Sequence, residues 1–384
     1  MSRIFLDNAA TTALHPEVIQ AMTDAMDGRF GNPSSIHAEG RAARAALEQA
    51  RKTVANYIGA SIGEIFFTSG GTESNNMALK CAVRDLGVQR IISSPIEHHC
   101  VLHSLEAIER SGKARIDFVQ IDEQGHVVIE HLEALLQQQD GGKTLVSLMH
   151  SNNEIGTMID LEEISALCRQ YGALFHTDTV QTMGYFPINV AQTPISFLSG
   201  SAHKFHGPKG IGFIYINKEN IIRPFVDGGS QERNMRGGTE NFYGIIGLAK
   251  AMQIACEQMD AHRERIMEVR NYFATQLQTH LEDIRFNGDP FGRGHYKVLS
   301  VSFAQSAKTD LLLLNLDVEG ISASGGSACS SGADAGSHVI AALGGDATRT
   351  TVRFSFCSRN TREEIDFAIE KLRKLLPAMK AQAV

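Results

Sequence analysis

The chain has 384 residues, with 36 Lys+Arg against 43 Asp+Glu and a formal net charge of −7. Hydrophobic residues make up 43% and charged residues 21%, an ordinary globular composition with too much apolar content for a disordered chain. The mildly acidic balance supplies no overall field to hold a phosphate backbone, which argues against direct nucleic-acid binding, and the length suggests two domains. The six cysteines (81, 100, 168, 256, 329 and 357) stand no closer than 19 residues apart. They form no CxxC pair and do not suggest a disulfide framework, so reduced thiols in a cytoplasmic protein are expected. MSRIFLDNAATT lacks the basic stretch and long apolar core of a secretory signal. No stretch approaches the ~20 apolar residues of a membrane helix; the densest is residues 311–314.

Residues 41–58 place Ala43, Ala46, Leu47, Ala50, Val54 and Ile58 on one helical face, with Gly59 as a stop. Residues 64–68 read as a strand, 74–83 as a helix and 90–93 as a strand. Strands at 144–149, 174–177, 197–199 and 212–216 continue the series, with helices near 101–111, 129–138 and 161–171 between some of them. This alternation predicts an α/β domain with a largely parallel sheet and helices on both faces. From about residue 262 the character changes. A long helix at 262–281, strands at 298–303 and 351–356 and a helix at 362–376 predict a separate α+β layer, with the boundary at about 261.

Four segments carry candidate chemistry. Residues 69–76 (SGGTESNN) follow a strand and open a helix, where converging backbone N–H groups and the helix dipole make a phosphate site. They are neither GxGxxG nor a P-loop, and a plain strand-to-helix turn stays open. Lys204 stands in SAHKFHGPKG, too apolar and glycine-rich for a surface charge run. A lysine there can lose proton affinity and form a Schiff base. Asp178 ends a predicted strand, at the sheet edge where open parallel sheets form ligand crevices; it is either a helix N-cap or the partner of a ring nitrogen. A phosphate cradle, a Schiff-base lysine and an acidic ring partner together suit pyridoxal 5′-phosphate. Cys329, in GGSACSSG, is flanked by small residues and has no core to join, unlike Cys81, Cys168 and Cys256. An exposed thiol of this kind can be a nucleophile.

Nine ordered segments then resemble one family: DNAATT (7–12), FGNPSSIH (30–37), TSGGTESNN (68–76), EHH (97–99), NNEIG (152–156), DTVQ (178–181), SAHKFHGPKGIG (201–212), RGGTEN (236–241) and GSACSSG (326–332). They look like the cysteine desulfurases, the NifS/IscS-type enzymes in the class V aminotransferase group. The resemblance implies a fold-type I pyridoxal-phosphate enzyme. Its large domain (15–261) would hold a mainly parallel seven-stranded sheet, and a smaller α+β domain (1–14 and 262–384) would carry the cysteine loop.

The resemblance also implies roles. Lys204 would bind the cofactor as a Schiff base, His98 would stack on its ring and assist proton transfers, Asp178 would pair with the ring nitrogen and Gln181 with O3′. Gly71, Thr72, Ser201 and His203 would hold the phosphate, with Thr239 reaching in from a second subunit of a homodimer. Asn153 and Arg353 would orient the carboxylate of L-cysteine, with Asn32 bordering the pocket. Cys329 would take the sulfur as a persulfide, leaving alanine. It would pass the sulfur to an acceptor protein such as an iron–sulfur scaffold or sulfur carrier, meeting metal only during that transfer.

Three details depart from the family pattern: Thr179 stands where Ala is usual against the ring, Gly237 replaces Ser, and the run 354–360 that contains Arg359 is one residue longer than usual. Selenocysteine lyase, or another lyase or aminotransferase of this fold, is the nearest rival. A zinc protein built on His98, His99, Cys100 and His103 is a more distant one.

Overall fold

The structure is a computed structural model that describes residues 3–28, 30–138, 141–306, 309–326, 336–346 and 348–376. In chain order its strands are β1 (Ile4–Phe5), β2 (Ile65–Thr68), β3 (Val88–Ser93), β4 (Arg115–Phe118), β5 (Lys143–Ser147), β6 (Leu174–Asp178), β7 (Phe197–Ser201), β8 (Gly212–Ile216), β9 (Ile284–Asn287), β10 (Val298–Phe303), β11 (Ile321–Ser322) and β12 (Thr350–Ser355). The helices are α1 (Pro16–Gly28), α2 (Ala38–Tyr57), α3 (Gly71–Asp85), α4 (His99–Arg110), α5 (Ile129–Gln137), α6 (Leu161–Gln170), α7 (Gln231–Asn234), α8 (Phe242–Glu257), α9 (Met259–His280), α10 (Leu312–Val318), α11 (His338–Ala342) and α12 (Arg362–Leu375).

Seven strands form one sheet in the order β2-β8-β7-β6-β5-β3-β4. The pairs β4/β3, β3/β5, β5/β6 and β6/β7 are parallel, and only β8 runs against its neighbours. Every residue of β2, β7 and β8 is buried. Strands β2 and β8 read as nearly continuous apolar runs, and β7 opens on Phe197 and Leu198, because helices cover both faces. The expected α/β fold with a mainly parallel seven-stranded sheet is therefore what the chain adopts.

The edge strand β4 escapes the sequence pattern because Arg115 and Asp117 interrupt it. Helix α8 escapes for the opposite reason. It buries ten residues, Phe242 through Ala255, around most of its circumference against α1 and α2, so it presents no polar face for a period to reveal. Helix α3 begins three residues before the predicted 74, because the chain turns at Gly70 (φ +152°), where only glycine is at ease.

Beyond α8 a three-stranded antiparallel sheet, β12-β10-β9, packs against α9, with Phe273 4.9 Å from Phe354 and 5.7 Å from Phe356 between ring centroids. The N-terminal segment ties the two sheets together. Strand β1 pairs with β11, Ser355 Oγ accepts from the Ala9 N–H at 2.8 Å, and the Thr12 N–H then reaches the His203 carbonyl at 2.9 Å. Residues 7–12 thereby cross the C-terminal edge of the parallel strands, where such sheets form their ligand crevice.

Candidate functional site

That crevice holds a cavity of about 230 Å³. Its walls come from the loops that follow parallel strands: Gly71 and Thr72 after β2, His98 after β3, Asn153 after β5, Asp178 and Gln181 at the end of β6, and Ser201, His203 and Lys204 after β7. Arg353 enters from β12. Ten residues that the sequence singled out thus converge on one space. Cys329 lies outside the described residues. Asn32 and Thr239 do not line the cavity. Asn32 is exposed and its Oδ1 accepts from the Ser34 N–H, while Thr239 borders a separate hollow with Ser69 and Arg236.

Lys204 closes a short 3₁₀ turn and donates from Nζ to the carbonyls of Ala9 and Ala10, both at 2.7 Å. Tyr185 Oη donates to the Lys204 carbonyl at 2.9 Å, fixing the main chain beneath it. Asp178 is 5% exposed. Its Oδ1 accepts from the Val180 N–H at 2.9 Å and its Oδ2 from Asn75 Nδ2 at 2.7 Å, so both oxygens of the buried carboxylate are held in place.

His98 is the N-cap of α4, and its Nδ1 accepts the Cys100 N–H at 3.2 Å with Cys100 Sγ at 3.0 Å. Burial holds its pKa below the usual imidazole value against the opposing pull of Asp178, and the Lys204 charge adds to the lowering. The ring is therefore neutral near pH 7, and the backbone donor to Nδ1 leaves the proton on Nε2. Burial likewise drives His203 down to about 4 and pushes the Cys100 thiol up to about 12.

The phosphate expectation has a geometric counterpart. Gly71, Thr72, Ser201 and His203 also border an adjoining hollow of about 470 Å³ at the open end of α3. A Cβ on Gly71 would meet Val180 Cγ2 at 2.5 Å, so glycine alone fits between the helix end and that wall. Arg353, 2% exposed, pairs through Nη2 with Asp7 Oδ1 at 2.9 Å and through Nη1 with the Asn153 carbonyl at 2.7 Å. Its Nε has no partner among the described residues, and neither has Gln181 Oε1.

Sequence reasoning missed Asn75, Met149 and Val180, and considered Cys100 only as a zinc ligand; all four line the cavity. Asn75 was inside the quoted SGGTESNN segment, and its place one helical turn after Gly71 was the signal available. Thr179, expected against the ring, turns its hydroxyl to the Ser199 carbonyl at 2.8 Å, and Val180 lines the wall instead. Arg359 is exposed and away from the cavity. Gly237 has a packing reason, since a Cβ there would meet Gly228 Cα at 2.6 Å. Among the described residues no group of three or more His, Cys, Asp or Glu side chains is placed to hold a metal ion, and no helix is long and apolar enough to cross a membrane.

Such a cavity can seat a phosphate at a helix end, bind a carbonyl compound at a lysine amine and pair a carboxylate with a protonated ring nitrogen. Known proteins resemble the chain over nearly its whole length. A cysteine desulfurase IscS from Dictyoglomus turgidum is 42% identical over 98% of this chain and 95% of its own length. A solved NifS-like protein superposes with a TM-score of 0.89 at 35% identity, over 97% of this chain and 99% of that one. The protein SspA, solved in complex with cysteine, superposes with a TM-score of 0.80 at 29% identity, over 93% of this chain and all of the other (100%). The aminotransferase class-V pattern matches residues 4–367. The chain belongs to the class-V aminotransferase family and, within it, to the cysteine desulfurases of NifS/IscS type.

Proposed function

We propose that this protein removes sulfur from L-cysteine with pyridoxal 5′-phosphate, releasing alanine and leaving the sulfur on Cys329 for a protein acceptor. The observation that carries the reading is the convergence of the Lys204 amine, the Asp178 carboxylate, the His98 ring and the Arg353 guanidinium on one cavity beside the open end of α3. The residues present fit the cofactor. Gly71, Thr72, Ser201 and His203 would take its phosphate, Asp178 its ring nitrogen and Lys204 its aldehyde carbon, and Gln181, which lines the cavity, has an Oε1 with no partner among the described residues. Bound there, the cofactor supplies the electron sink that lets a Cα proton leave.

The chain's own groups do the rest. Asp178 would pair with the protonated ring nitrogen, and the neutral His98 can exchange a proton at Nε2. The unpartnered Arg353 Nε is the donor left for a substrate carboxylate beside Asn153. A homodimer completed by Thr239, a cytoplasmic location, an iron–sulfur or thiolation acceptor, and the division at residue 261 belong to the same proposal. The pairing of Ile4–Phe5 with Ile321–Ser322 supports grouping residues 1–14 with the C-terminal part.

The test is release of alanine and sulfide from L-cysteine with a thiol reductant, run beside Cys329→Ala and Lys204→Ala. Equimolar products are expected. Cys329→Ala should keep its cofactor yet form no persulfide, and Lys204→Ala should lose the covalent linkage and turnover. Cofactor-loaded protein that makes no alanine from cysteine would overturn the activity, and full desulfuration by Cys329→Ala would overturn the nucleophile.

A further inference from the structure

A second cavity, of about 370 Å³, lies between one face of α9 and the loop of residues 289–296, and it shares no lining residue with the candidate active site. Arg263, Arg270 and Asn271 enter it from α9, and Phe291, Arg293 and Tyr296 from the loop side. Three arginines therefore line one space that no acidic residue lines. Asp289, the loop's single acid, is occupied elsewhere, accepting the N–H groups of Gly292 and Arg293 and facing His126 at 3.4 Å.

Arg270 is the unusual member. It is 4% exposed, its Nη1 donates to the Pro290 carbonyl, and its Nε has no hydrogen-bond partner among the described residues. Burial alone draws its pKa down to about 10, with no carboxylate pulling the other way. Buried charges are ordinarily paired, because the desolvation they suffer is otherwise uncompensated. Aromatic faces hold the arginines in place: Arg270 lies 5.8 Å from the centroid of Phe291 and Arg263 lies 5.9 Å from that of Tyr296. That leaves their N–H forks held in position for an anion.

We propose that this cavity binds a small multivalent oxyanion, a phosphoryl- or polycarboxylate-bearing molecule gripped by Arg270 at its base and by Arg263 and Arg293 at its mouth. Guanidinium forks match both oxyanions through paired N–H donors. The cavity also has a size common for small-molecule sites.

The experiment is calorimetric titration of the cofactor-loaded enzyme with pyrophosphate and, separately, with citrate, in magnesium-free buffer. Using the loaded enzyme keeps the phosphate hollow beside Gly71 filled. One saturable site per chain is expected for at least one probe, weakened at least about tenfold in Arg270→Met and in the double variant Arg263→Ala/Arg293→Ala, a loss of ~1.4 kcal/mol. Binding of pyrophosphate alone assigns the phosphoryl class, of citrate alone the polycarboxylate class, and of both the shared chemistry. Arg263 and Arg293 are exposed, so the double variant decides the matter even if Arg270→Met fails to fold. Absence of saturable binding for both probes, or wild-type affinity in the double variant, overturns the proposal.

Discussion

Asn75 ties the Asp178 carboxylate to the scaffold, and its removal should be felt through Asp178 rather than on its own account. Its side chain is fully buried, donating from Nδ2 to Asp178 Oδ2 at 2.7 Å while Oδ1 meets His176 Nε2 at 3.2 Å. Burial lowers the His176 pKa to about 3, so that ring is neutral; Asn75 Oδ1 can only accept, so Nε2 carries the proton and Nδ1 accepts from Ser147 Oγ at 2.8 Å. The Asn75 amide is thereby oriented with its N–H group toward the carboxylate. Asn75→Ala removes one charge-assisted bond, leaving Asp178 the Val180 N–H alone on its other oxygen. Such bonds contribute about 1.5–3 kcal/mol. If that appears in cofactor binding, the dissociation constant of pyridoxal phosphate rises about tenfold to a hundredfold, measured by titrating the apoprotein and following ring absorbance. The sharper assay is a double-mutant cycle. In an Asp178→Asn background the charged acceptor is already gone, so Asn75→Ala should cost much less, with a coupling of about 1.5 kcal/mol or more. Additive costs, with a coupling under ~0.5 kcal/mol, would refute the argument that Asn75 acts by holding the carboxylate.

Two further expectations concern the scaffold. Arg51, 1% exposed, makes a bidentate pair with Glu232 at 2.7 and 2.9 Å, and Arg51→Met should cost about 3–5 kcal/mol by stranding a buried carboxylate. Urea unfolding should show the loss, with Glu232→Gln in the same chain restoring part of it. His150, 6% exposed with Nδ1 unpartnered, is held by burial at a pKa of about 4, as are His203 and His206. As pH falls from ~6.5 toward 4 the unfolded chain binds protons that these native rings refuse, so stability drops with pH. His150 alone accounts for about 2 kcal/mol of that drop at pH 5. His150→Leu should flatten the decline between pH 7.5 and 5 by that amount, and an unchanged slope in urea unfolding would count against the assignment.

The sequence exposed the parts of this molecule whose physics is local. Apolar runs bounded by glycine gave the central strands, and a lysine among small residues at the end of one of them marked the site. Residues whose value is tertiary were less visible. Asn75 is an ordinary polar residue in a helix until the fold brings β6 beside α3, which sets its amide against Asp178 and His176. Asn32 stood in a quoted motif, yet its side chain is committed to its own turn at Ser34. Helix α8 was hidden because burial all round leaves no period to read.

The N-terminal DNAATT segment shows why a motif can be seen without its role being legible. Two of its contributions to the site are main-chain atoms: the Ala9 carbonyl accepts from both Gln181 Nε2 at 3.0 Å and Lys204 Nζ at 2.7 Å, and the Ala10 carbonyl is the second acceptor for Lys204. The two carbonyl acceptors position the amine in the crevice. Lys204 can attack a carbonyl compound only after leaving those two acceptors. Asp7 meanwhile holds Arg353 from the same strip of chain. One short segment therefore places both the amine that would bind the cofactor and the guanidinium that would bind the substrate. Its small residues matter because they let its backbone pass between β12 and the loop after β7.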